Sequence, residues 1–94
     1  MTEVLRVLKV LNHPVRLSIL CNLIEKGEMS AGEIVVQEER LASQSQTSQY
    51  LKILKDEGLV TSRKEGQFVL YSLASEEVKV LIATLHELYC PAEC

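Results

Sequence analysis

The chain has 94 residues, 47% of them apolar and 24% charged. That suits one small globular domain over residues 1–94 and is too apolar for a disordered segment. The formal net charge is −3, and no apolar run approaches the roughly 18 residues that span a bilayer. The opening Met1-Thr2-Glu3 has no basic signal-type region, so a cytoplasmic protein without membrane contact is expected. Three cysteines without a CxxC pair argue against a disulfide scaffold and against a structural zinc module.

A core this small makes oligomerisation a natural supplement. The charge is unevenly spread. Residues 41–72 carry a net +1 and the remainder −4, and the tract 41–55 holds two lysines and no acid. The middle of the chain is therefore where phosphates would be tolerated, although an ordinary, less acidic surface fits equally.

Val4, Leu5, Val7, Leu8, Val10 and Leu11 predict a first helix over Thr2–Leu11, apolar on more than one stripe. Asn12-His13 interrupts it, Pro14 opens a second helix and Gly27 stops that one. Ser30 and Glu33 have capping-box spacing and start a third helix through Ile34, Val35 and Val36. Ser43 is positioned to cap a fourth helix, polar at first and then apolar-periodic, which ends at Gly58. Residues 59–63 read as a strand, 64–67 as a turn and 68–73 as a second strand. Ser75-Glu76-Glu77 opens a last, broadly apolar helix that Pro91 ends.

This order is mainly α with a β-hairpin wing (α-α-α-α-β-β-α), the winged helix-turn-helix. Three stretches carry a resemblance to the ArsR/SmtB family of bacterial repressors. They are residues 11–20 around Pro14-Val15-Arg16, residues 43–60 from Ser43-Gln44-Ser45 to Gly58-Leu59-Val60, and residues 63–73 from Arg63 to Leu73. The chain departs from the family between Glu33 and Ser43, where it is about two residues longer.

The resemblance implies a homodimer through the first and last helices that binds a double-stranded DNA operator of two-fold related half-sites. Gln can donate and accept against adenine, and Ser and Thr can serve bases or phosphates. Ser43, Gln44, Ser45, Thr47, Ser48 and Gln49 are thus the expected contacts of the fourth helix. Lys52, Arg63, Lys64 and Gln67 are expected as positioning contacts, with Arg63 or Lys64 able to reach the backbone or the minor groove from the wing. Leu8, Leu81, Leu85 and Leu88 are expected at the dimer interface.

Family members commonly sense metals, but no cysteine precedes the fourth helix in the stretch leading to it. The last helix offers only His86 beside Glu76, Glu77 and Glu87, a thin set for a transition metal, so no metal or other cofactor is expected. His86 reads instead as a surface or dimer-contact residue. Cys21 and Cys90 resemble the cysteine pair of the family's HlyU/BigR-like branch. That resemblance implies release from DNA when an oxidant or reactive sulfur links the two thiols. Cys21 reads equally well as a small buried apolar side chain, and Cys94 as a terminal thiol outside the family pattern. A metal-responsive repressor and a winged-helix protein-interaction module remain the alternatives. No phosphate loop, catalytic nucleophile with its base, or hydrolase metal spacing suggests an enzyme.

Overall fold

A computed structural model describes residues 2–89. Helix α1 (Thr2–Leu11) meets α2 (Pro14–Lys26) at 97°. The corner is held chemically as well as sterically. His13 Nδ1 accepts the Val15 N–H at 3.2 Å, Pro14 occupies the first helical turn, and Arg16 Nε donates to the Val10 carbonyl at 2.8 Å. Gly27, at φ +82°, ends α2 in a conformation that side-chain-bearing residues rarely adopt.

Helices α3 (Ala31–Gln37) and α4 (Gln44–Asp56) each begin with a complete capping box, Ser30 with Glu33 and Ser43 with Gln46. In the first box, the backbone and hydroxyl hydrogen bonds of Ser30 lower the Glu33 carboxyl below its ordinary value. The hairpin strands β2 (Val60–Glu65) and β3 (Phe68–Leu73) are followed by α5 (Glu76–Tyr89). A two-residue strand, β1 (Met29–Ser30), pairs antiparallel with β3, giving the order β1-β3-β2. Periodicity cannot reveal so short a strand, and it is the one element the sequence reading missed. The hairpin turn is also tighter than expected. Glu65 pairs with Phe68, so the turn is Gly66-Gln67, made possible by Gly66 at φ +62°.

Ile19, Leu20 and Leu23 of α2, Ile34 of α3, Leu54 of α4, Leu59 just before β2, and Ile82 of α5 are essentially inaccessible to water and form one core. Among the described residues, no single helix is long and apolar enough to cross a membrane.

Where the chain is about two residues longer than the family it resembles, between Glu33 and Ser43, α3 runs on to Gln37 and then ends. After Gln37 the backbone turns through residues 38–41, and Glu38 is buried at 2% exposure. Its Oε2 accepts from Ser18 Oγ at 2.9 Å and from Asn22 Nδ2 at 3.1 Å. Burial raises the Glu38 carboxyl above its ordinary value, and these two hydrogen bonds offset part of that rise. A carboxyl raised by burial costs the fold stability while ionised, and the cost fades as pH falls through its raised value. Glu38→Gln should therefore melt above the parent at neutral pH. In melting curves across a pH series the gap should narrow on acidification and level off below the ordinary glutamate range. A gap independent of pH would contradict this reading.

Candidate nucleic-acid interface

Helix α4 is divided lengthwise. Thr47, Leu51 and Leu54 are buried, whereas Gln44, Ser45, Ser48, Gln49 and Lys52 are exposed. The exposed positions share one side of a 3.6-residue helix. Apart from Lys52 the stripe is uncharged, and its groups can both donate and accept hydrogen bonds. The Ser43 hydroxyl accepts the Gln46 N–H at 3.1 Å, so it is already engaged as a cap.

Thr47 corrects the sequence reading. It is 0% exposed, and its Oγ1 has no hydrogen-bond partner among the described residues. Thr47, Leu51 and Leu54 stand at i, i+4 and i+7, so Thr47 lies on the inner stripe of α4. It cannot contact a ligand on the outer face.

Side-chain contacts tie α4 to the α1–α2 corner, to the hairpin and to α1. The Tyr50 ring packs on His13 with centroids 4.6 Å apart, and Lys55 Nζ donates to Ser62 Oγ of β2 at 2.8 Å. Arg6 of α1 reaches Glu57 at 3.4 Å, beyond the end of α4.

Arg63 is engaged with two carboxylates of its own chain. Its Nε and Nη2 donate to the Glu28 carboxylate at 3.0 Å each, and Nη1 donates to Glu65 at 2.7 Å. Glu28 and Glu65 together hold the guanidinium above its already high ordinary value. Since β3 lies between β1 and β2, this bidentate pair ties the outer hairpin strand to the segment leading into β1. Lys52 pairs with Asp56 at 3.0 Å in the open, a bond of little net worth. Lys64 makes no ion pair among the described residues and, with Gln67, is exposed near the hairpin tip.

The apolar candidates divide as well. Leu8 and Leu88 are exposed at 52% and 66%, and Val4, Leu5 and Val80 are also exposed. Leu81 and Leu85 are half-buried against the chain's own core.

His86 is partly covered. Its side chain is 18% exposed, and Nε2 lies 3.6 Å from Glu25 Oε2 of α2. A cavity of about 400 Å³ beside it is lined by Ile24, Glu25, Ala83, His86 and Glu87. Among the described residues, no group of three or more His, Cys, Asp or Glu side chains is arranged to hold a metal. Cys21 is buried in α2 at 1% exposure, while Cys90, Pro91 and Cys94 lie outside the described residues.

Residues 13–62, which run from the α2 cap through α4 into β2, match the model of the bacterial regulatory protein family arsR. The chain belongs to the ArsR family. The transcriptional activator HlyU of Vibrio cholerae is 48% identical over 85 residues, covering 90% of this chain and 76% of HlyU. The structure of reduced HlyU superposes with a TM-score of 0.86 at 45% identity, covering 95% of this chain and 90% of that one. The transcriptional repressor BigR from Xylella fastidiosa gives a TM-score of 0.82 at 35% identity, covering 99% and 89%. A homodimeric winged helix-turn-helix DNA-binding domain from Mycobacterium bovis gives 0.78 at 33% identity, covering 93% and 78%. These similarities place the chain in the HlyU/BigR-like branch and identify it as a DNA-binding transcriptional regulator of the winged helix-turn-helix fold.

Thr47 provides the sharpest check on which face of α4 is in use. Thr47→Val removes an unpaired buried hydroxyl at nearly constant shape, so it should raise unfolding free energy by about 1 kcal/mol in urea titrations. DNA affinity should stay at the parent's value. A loss of binding without loss of stability would return Thr47 to the interface.

Proposed function

We propose that this ArsR-family chain is a homodimeric, sequence-specific regulator that reads two-fold related half-sites through α4 and leaves DNA when Cys21 and Cys90 are joined. The observation that carries the DNA reading is the uncharged hydrogen-bonding stripe of Gln44, Ser45, Ser48 and Gln49 on a helix anchored by its opposite face. Side chains of this kind discriminate base edges in the major groove, and the positive end of the α4 dipole favours nearby phosphate. Lys52, Lys64 and Gln67 serve the backbone. Arg63 acts by holding the wing, because its guanidinium is already occupied by two carboxylates.

Dimerisation is supported by the apolar residues that one chain leaves in water on α1 and α5, Leu8 and Leu88 among them. Leu81 and Leu85 follow Leu88 back along α5 at helical spacing and extend that surface. The Mycobacterium bovis relative, described as homodimeric, is consistent with it.

The thiol reading is supported by the approach of α5 to α2. His86 lies beside Glu25, which is one turn after Cys21, and Cys90 follows His86 by four residues in sequence. Peroxide would convert one thiol to a sulfenic acid with loss of water, and the second would displace another water to form the disulfide. With a polysulfide, one thiolate would attack a sulfur–sulfur bond and expel a shorter polysulfide, and the second thiol would close the sulfur bridge by displacing hydrogen sulfide. Linking the two helices biases the dimer only if it fits the DNA-free arrangement better.

A duplex selected by the parent protein from a random-sequence pool tests the DNA reading. Gln44→Ala and Gln49→Ala should change which sequences are preferred. Lys52→Ala and Lys64→Ala should weaken all sequences and each reduce the salt slope by about one. Arg63→Ala should leave that slope nearly unchanged, and the parent should bind as two chains per duplex. Parent-like selectivity and affinity in all four glutamine and lysine variants would defeat the assignment.

For the thiol pair, Cys21→Ser and Cys90→Ser should bind DNA like the reduced parent yet resist release by peroxide or polysulfide. Cys94→Ser should release normally. Normal release of both of the first two variants would sink the switch.

A further inference from the structure

We infer that Glu38 is a positioning residue for DNA recognition, fixing the start of α4 relative to α2 through hydrogen bonds made from both ends of one residue. The inference rests on the DNA-binding reading above. Its side chain accepts from Ser18 and Asn22, which stand one turn apart on the same face of α2. Its backbone carbonyl accepts the N–H groups of Leu41 at 2.9 Å and Ala42 at 3.0 Å, the two residues immediately before the Ser43 cap. One amino acid thus links α2 by hydrogen bonds to the turn that leads into the base-reading helix.

Apolar packing alone would not hold this turn. Leu41, its large apolar residue, is 66% exposed. A leucine at position 38 would be the less costly occupant of a buried site, because a carboxylate there loses its water. The carboxylate instead provides direction. Two donors on one oxygen define where the turn sits, whereas apolar contact permits sliding. The groups facing Glu38 are the neutral side chains of Ser18 and Asn22, and it makes no ion pair among the described residues. Its role is therefore geometric. Small displacements of the α4 start move Gln44 and Ser45, which lie one and two residues beyond the Ser43 cap. Recognition by directional hydrogen bonds tolerates little misplacement.

The test compares Glu38→Leu, Glu38→Gln and Ser18→Ala by melting temperature, by affinity for the selected duplex and by salt slope. Glu38→Leu should lose affinity on the order of tenfold while its salt slope stays at the parent's value, since no phosphate contact is removed. Glu38→Gln, which keeps an oxygen acceptor, should restore binding. Ser18→Ala should weaken binding in the parent and have no further effect in the Glu38→Leu background. Parent-like affinity of Glu38→Leu, or failure of Glu38→Gln to restore binding, would overturn the inference. Should Glu38→Leu not fold, parent-like binding by Ser18→Ala would overturn it. A parent that selects no duplex would overturn the DNA-binding reading itself, a result distinguishable from all of these.

Discussion

Helix α4 is held through one face only, with Thr47, Leu51 and Leu54 in the core and Gln44, Ser45, Ser48, Gln49 and Lys52 in water. Everything else in the chain serves that division. Helix α2 supplies the apolar wall of Ile19, Leu20 and Leu23, and α3 contributes Ile34. The His13–Tyr50 ring contact and the Glu38 turn then limit rotation and sliding about that wall. A polar stripe on an unanchored helix would satisfy its hydrogen bonds with water. Anchored, it becomes a surface of defined shape, which recognition by paired donors and acceptors requires.

The electrostatics follow a related logic. A chain of net charge −3 has few cations to present, and several are already engaged inside the molecule. Arg63 joins Glu28 and Glu65, Arg6 joins Glu57 and Lys55 bonds to Ser62. These contacts fasten α1, α4 and the hairpin to their neighbours. Attraction to phosphate falls to the other exposed cations and to the helix dipole, both of which salt screens. In the proposed complex, shape and base-edge contacts therefore carry a larger share of recognition than bulk charge does.

Much of this architecture could be read from residue order because its signals are local. The capping boxes of Ser30 with Glu33 and Ser43 with Gln46, Pro14 after a broken helix and Gly27 at a helix end each act within a few residues. The long helices and the hairpin followed from such signals. The missed strand reflects pairing between residues distant in sequence. Strand β1 exists only because Met29 and Ser30 pair with Tyr71 and Leu70. The polar run 43–49 suggested an exposed Thr47, although its spacing to Leu51 and Leu54 carried the opposite signal.

The sequence by itself determined the order of the helices and of the hairpin, the capped helix starts and the polar character of the face that α4 turns outward, because propensity, capping and periodicity are properties of neighbouring residues. Only the tertiary structure decided how individual charges are used. Glu28 meets Arg63 from 35 positions away, and Glu38 meets Ser18 from 20 positions away. No local pattern encodes either meeting. Whether a charged side chain faces water, a partner or the core depends on which segments folding brings together. For Arg63 and Glu38 that choice turned a free cation into a clamp and a surface acid into a buried anchor point.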